Sequence, residues 1–471
     1  MMRAITLVLF GVVLFPLVAT AQSTWEITPY KVNIWWVASD APELPASWKT
    51  RLATSLERQL RPVFAGVSQT TVAPAPENVQ LWMKRDLRSL TREKLFESDP
   101  ELSKVDKLFL LVVDAHRQSY SVRLLEFDCL LTHLGPVDVQ SVSLLQQVAP
   151  RAVEMISESF SPVVRIERAA DGMVKTRLRA GALLQSDDSP GALHANDVLL
   201  PYDRRVKNTG SVNLKNIRPI DWTYIRVPTG GGAKQSVRDL DIVSGFRQPF
   251  RSKRSRRLQQ YAIRTRPPSN QSKIRLLGRT NKEALAGYEI HEKGDEVTSF
   301  LGHTDWKGEL SIPPSDDSIR TLLVRSGDRV LAKLPIVPGM RDEVVAYIRD
   351  DRLRVVADGF LTGVQMGIID LVAQRESLTT RIRNRIEAKD FDKANRLIDQ
   401  LRKLPTQADF RREVEQQLST LNLGGASADS KIRTQITTTF VQTISTLGKY
   451  LDPNRVRELE SELNAARGGS G

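Results

Sequence analysis

The chain has 471 residues, 41% hydrophobic and 26% charged, a balance that excludes a disordered or fibrous protein and fits ordinary globular domains. Its single cysteine, Cys129, excludes an intramolecular disulfide, so hydrophobic burial must hold the fold. The formal net charge of +13 is local: between Ile242 and Lys282 there are 12 Lys/Arg and no Asp or Glu, and the rest is close to neutral.

Residues 1–21 read as a secretory signal peptide. Met1, Met2 and Arg3 lead into an apolar run from Ala4 to Val18, closed by the small-x-small pattern Ala19-Thr20-Ala21. Cleavage is expected between Ala21 and Gln22, and no later apolar run reads as long enough to span a bilayer. The mature chain is therefore expected to be exported, periplasmic or extracellular, with no stable transmembrane segment.

Residues 25–161 read as an α/β domain of order β-α-(α)-β-β-α. Tyr30, Val32, Ile34 and Trp36 alternate as in a half-buried strand, and Trp48, Leu52, Leu56, Leu60 and Phe64 line one face of a helix. Val79–Phe96 predicts a second helix, Leu108–Val113 a central strand, Tyr120–Leu124 its partner, and Val142–Phe160 a closing helix. Residues 162–246 read as short strands separated by glycine-rich punctuation, which a small β-barrel would close.

Residues 247–270 read as a basic linker ending in Pro267-Pro268-Ser269-Asn270. Residues 271–339 carry short strands at the spacing of a β-sandwich. Asp305-Trp306-Lys307-Gly308 supplies turn chemistry, with glycine in the left-handed position. Residues 340–466 turn helical and predict a bundle; 467–471 read as a disordered tail. The whole is a multidomain α+β chain.

The string Leu285-Ala-Gly-Tyr-Glu-Ile290, then Gly302-His-Thr-Asp-Trp-Lys-Gly308 and Leu310-Ser-Ile-Pro-Pro314, resembles the transthyretin-like or carboxypeptidase-regulatory-like sandwich modules of bacterial exported proteins. Residues 25–161 look like the βαββα domain that opens TolB-type periplasmic proteins. The barrel after it, with Asn196-Asp-Val-Leu-Leu200, is similar to SH3-like barrels of flagellar-assembly proteins. These resemblances imply modules that bind, space or assemble, and they carry over no active site.

Catalytic and metal motifs are absent from the pattern. His116, His133, His194, His291 and His303 include no helical i, i+4 pair, and His291-Glu-Lys-Gly-Asp295 lacks a second histidine. No Gly-x-Ser-x-Gly elbow occurs, and Thr229–Ser236 lacks the Gly-Lys-Ser/Thr of a phosphate loop. Neither a cofactor nor a metal is implied. Asp187-Asp188 and Asp316-Asp317 lack calcium-loop spacing. Asp114, with Glu126 and Asp128 on the next strand, is the best carboxylate cluster, the alternative being a hydrolase centred there. Cys129, in an apolar segment, reads as a buried small hydrophobe.

The basic stretch 247–282 offers a different chemistry. Arg251, Lys253, Arg254, Arg256 and Arg257, interleaved with Phe246, Phe250 and Tyr261, would suit an anionic polymer. The opposing reading is a solvated linker. The function that fits the whole is a non-enzymatic envelope or extracellular protein that binds or scaffolds. Its expected partners are envelope proteins or a second copy, met through the C-terminal helices.

Overall fold

The computed structural model describes residues 24–206, 212–230, 235–250, 257–294, 296–315, 317–420, 434, 436–442, 445 and 454–468. The signal-peptide expectation at Ala21 and Gln22 lies outside them. The chain divides into two compact units. The first runs to Gln271 and takes in Pro313–Thr321 and Leu334–Arg341; the second holds Ser272–Ile312, Leu322–Lys333 and Asp342 onward.

The first unit opens with a one-turn helix, α1 (Thr24–Ile27), and a five-stranded mixed sheet of order β2-β1-β3-β4-β5. Its strands are β1 (Tyr30–Ala38), β2 (Ser68–Pro74), β3 (Lys107–His116), β4 (Ser119–Asp128) and β5 (His133–Val142). Helices α2 (Ala46–Val63) and α5 (Val148–Ser159) cover one face, α3 (Glu77–Arg85) and α4 (Arg92–Ser98) the other. Both faces of β1 are thus buried: Tyr30, Val32 and Ile34 point into one core, Trp35 and Val37 into the second. The strand expected to be half-buried is a central one.

Two strands escaped the sequence reading. Both β2 and β5 are edge strands, and edges bury too little to leave a strong apolar signal. β5 carries Gly135-Pro136, which an edge tolerates because one row of its backbone groups needs no sheet partner. The expected second helix is two short helices divided at Asp86, whose carboxylate accepts from Arg88 N. The closing helix starts only at Val148, since Val142 still belongs to β5.

The barrel forms from β6 (Val163–Ala170), β7 (Met173–Leu178), β8 (Val198–Val206), β10 (Thr223–Arg226), β11 (Val237–Ser244) and β12 (Leu258–Arg264). Their order, β10-β11-β7-β6-β12-β8, closes through pairing of β10 with β8. β9 (Val212–Pro219) hangs on the outer edge of β8. The expected barrel limit at residue 246 and the linker 247–270 are corrected here. β12, inside the supposed linker, lies between β6 and β8, and without it the ring would stay open. Its buried Tyr261, Ala262 and Ile263 explain why it pairs rather than dangles.

Two further sheets, whose strands lie in the second unit except for the first two residues of β17 and the last three of β18, are built from β13 (Ser272–Gly278), β14 (Glu289–Lys293), β15 (Thr298–His303), β16 (Glu309–Ile312), β17 (Arg320–Ser326), β18 (Arg329–Ile336) and β19 (Glu343–Ile348). The orders are β16-β13-β19 and β15-β14-β17-β18. β19 runs parallel to β13 and extends the strand region beyond the expected limit at 339. The 305–308 turn matches expectation: Asp305 Oδ1 accepts from Lys307 N and Glu309 N, and Gly308 sits at φ 75°. A Cβ on Gly308 would lie 2.4 Å from the Leu276 carbonyl oxygen, so only glycine fits.

Helices follow: α6 (Arg352–Glu387), α7 (Phe391–Arg402), α8 (Gln407–Thr420) and α9 (Arg455–Gly468), with a helical stretch at 436–442. Tyr288 pins the start of α6, its hydroxyl donating to Asp350 Oδ1 and accepting from Asp351 N. Arg354 completes the joint, paired with Asp351 at 2.7 Å and Asp358 at 2.5 Å.

Candidate functional site

The carboxylates grouped by sequence do not converge. Asp114 lies opposite Ser121 in the β3–β4 ladder, Glu126 opposite Phe109 and Asp128 opposite Lys107. At about 3.4 Å per residue, the Asp114 end stands roughly 24 Å from the Lys107 end. Asp114 is held by Arg123 at 2.8 Å. The expected three-carboxylate cluster is therefore corrected: a straight strand carries its two ends apart.

Glu126 and Asp128 instead enclose Lys107. Its ammonium lies 2.8 Å from each carboxylate, and none of the three is more than 5% exposed. Burial opposes the charge on Lys107, but the facing Asp128 and Glu126 outweigh it and keep the ammonium protonated. Burial pushes the Asp128 carboxyl upward, and Lys107 offsets only part of that. The same knot grips the junction between sheet and barrel. Lys107 donates to Ser161 O at 2.5 Å, Ser161 N to Glu126, Val163 N to the Tyr30 hydroxyl, and Arg264 to Phe160 O. Lys107, Glu126, Tyr30 and Arg264 all hold residues 160–163, while Asp128 pairs with Lys107 and accepts from Leu131 N. It is a structural knot with no access for substrate.

The other candidates are as self-contained. Cys129 is buried, and desolvation raises its thiol pKa well above the usual range, the opposite of an activated nucleophile. His133 is half-buried with Nδ1 2.9 Å from the Tyr202 hydroxyl, and desolvation lowers its pKa to about 4. His291 pairs with Glu289 at 2.9 Å. Among the described residues no group of three or more His, Cys, Asp or Glu is placed to hold a metal ion. Residues 231–234 of the glycine-rich string and Asp316 lie outside the described residues, as do Arg251, Lys253, Arg254 and Arg256; Arg257 is exposed.

What remains open is one helix face. Ala357, Leu361, Val364, Ile368 and Leu371 of α6 pack with Val414, Ile436 and Phe440 in one core. At 100° per residue, Val355, Gly359, Gly363, Met366 and Ile369 fall on the opposite side. Val355, Met366 and Ile369 are 44%, 61% and 63% exposed. A Cβ built on Gly359 or Gly363 meets nothing within 4 Å. The open side is largely apolar but is interrupted by exposed Thr362 and Asp370, and among the described residues the first half of the helix is covered on one side only. By length and composition, Arg354–Glu387 is moreover long and apolar enough to cross a membrane. The expectation that no later segment reaches that length is corrected. Interspersed glycine, threonine and aspartate interrupt its apolar run.

Fold and face together define a multidomain α+β protein with a closed six-stranded barrel. No protein-family model matches this chain, and no curated protein matches it. Among solved structures, part of it is similar to the lipoprotein GNA1162 from Neisseria meningitidis, at 16% identity over 28% of this chain and 99% of that one, TM-score 0.17. Another is the LpoB C-terminal domain from Salmonella enterica, at 9% identity over 24% and 83%, TM-score 0.15. A third is TolB from Acinetobacter baumannii, at 10% identity over 68% and 96%, TM-score 0.18. No residue assignment is drawn from these likenesses.

Proposed function

We propose that this is a non-enzymatic protein of the bacterial envelope or periplasm that scaffolds by self-association through its C-terminal helices. The exposed apolar face of α6 carries the reading. Its glycines at 359 and 363, which face open space, follow the four-residue spacing that lets a second helix backbone approach closely. Flanking Val355, Met366 and Ile369 would supply the apolar area that such contact removes from water. The leader pattern at residues 1–21 supports export, and the dispersed carboxylates remove support from the hydrolase alternative.

Light scattering of the purified exported protein tests it. The expected result is a dimer or higher species that Gly363→Glu converts to monomer with the circular dichroism retained, since the site has room for a side chain. A wild-type protein that stays monomeric, or a variant that self-associates equally, defeats the proposal. Flotation of the wild type with vesicles, without self-association, would assign the face to lipid instead.

A further inference from the structure

The exposed stripe of α6 is symmetric about residue 361. Gly359 and Gly363 lie two positions either side of it, Val356 and Met366 five, and Arg352 and Asp370 nine. All six are exposed. At 100° per residue they fall within about 80° of one another around the helix. Arg352 and Asp370 are five whole turns apart, so they share one line of the surface with about 27 Å between them.

The two charged ends are unlike. Asp370 has no ion-pair or hydrogen-bond partner among the described residues, although it shares its face with exposed Met366 and Ile369. Arg352, with 53% of its side chain exposed, donates through Nε and Nη2 to Asp350 and through Nη2 to Glu283. Its Nη1 has no partner among the described residues and can donate to a further carboxylate.

We propose that this stripe docks on the same stripe of a second copy with the two helices antiparallel, an orientation that rests on the self-association reading above. A two-fold axis at residue 361 sets Gly359 of each copy against Gly363 of the other, Val356 against Met366, and Asp370 against Arg352. The glycines let the backbones approach, the apolar pair packs beside them, and an opposite-charge pair closes each end. A parallel pair in register would instead stack Asp370 on Asp370 and Arg352 on Arg352, and facing like charges oppose binding. Lipid would cover Val356 and Met366 but leave Asp370 without a cation.

The test is disulfide capture in the full-length exported protein, with light scattering alongside. Val356→Cys and Met366→Cys variants are oxidised separately and as an equimolar mixture left to exchange; Cys129 is buried and stays out of the reaction. The mixture should yield a covalent dimer, while each variant alone stays uncoupled. Ten positions then hold its two thiols about 15 Å apart, and a disulfide needs Cα atoms within about 7 Å. Asp370→Arg should weaken the dimer about tenfold, and adding Arg352→Asp should recover it. The disulfide pattern decides the orientation even where Arg352→Asp disturbs its own contacts with Asp350 and Glu283. Ready coupling within each single variant would make the helices parallel and overturn this proposal while self-association stands. A dimer that gives no disulfide in the mixture, and that Asp370→Arg leaves intact, would place the contact elsewhere and overturn it too. A monomeric wild type defeats the self-association reading itself, and this proposal with it.

Discussion

Lys107 and Asp128 face each other across the β3–β4 ladder, with 2.8 Å between ammonium and carboxylate and 0% and 1% of their side chains exposed. An isolated charge at either position would be costly to bury, so each residue makes the other tolerable. Glu126 joins them and accepts from Ser161 N, which extends the pairing to the chain segment that enters the barrel.

Lys107→Met should therefore destabilise the first unit by about 3–5 kcal/mol, because two carboxylates stay buried without a cation. Urea denaturation measures it. Adding Glu126→Gln and Asp128→Asn should recover a substantial part of the loss. A cost of under about 1 kcal/mol for Lys107→Met would show the knot to be hydrated.

Acid should weaken the fold through His133. Its pKa falls from the ordinary 6.5 to about 4 on burial, so below pH 6.5 the unfolded chain binds the proton that the folded chain refuses. The stability this group contributes is complete above pH 6.5 and declines as pH drops towards 4, by at most about 3 kcal/mol. Urea midpoints of wild type and His133→Gln should fall together from pH 8 to 7. Between pH 6.5 and 4.5 the wild type should fall more steeply. Parallel curves throughout would show that His133 titrates normally.

Cys129 should resist aromatic disulfide reagents in the native state and react at once in denaturant. Burial first, then the nearby Asp128 charge, disfavours its thiolate. Stoichiometric labelling of the native protein would place the thiol at the surface.

Limited trypsin digestion should spare Arg264. Its side chain is 5% exposed and donates to Phe160 O at 2.6 Å inside a barrel strand. Early cuts in this region should fall before Leu258, and mass spectrometry of the fragments identifies them. An early cut after Arg264 would mean that β12 does not hold the ring closed.

Periodicity by itself determined much of this protein. The helix face of Leu52, Leu56 and Leu60 and the buried run of β3 follow from local spacing, because each pattern reports burial within one element, and the 305–308 turn follows from its Asp and Gly; the helical region expected from 340 begins only at Arg352, after β19. Pairing between distant segments was not legible in that way. β12 reads as a linker because its basic flanks dominate the local composition, and only β6 and β8, about 60 or more residues earlier, turn it into a barrel strand. Asp114 and Glu126 look like neighbours until the hairpin ladder sets them at opposite ends, and Lys107 draws no notice until two carboxylates close on it. The exposed side of α6 is the same case. Its sequence declares an apolar helix, but which stripe is covered depends on Val414 and Phe440, whose position comes from packing and not from spacing.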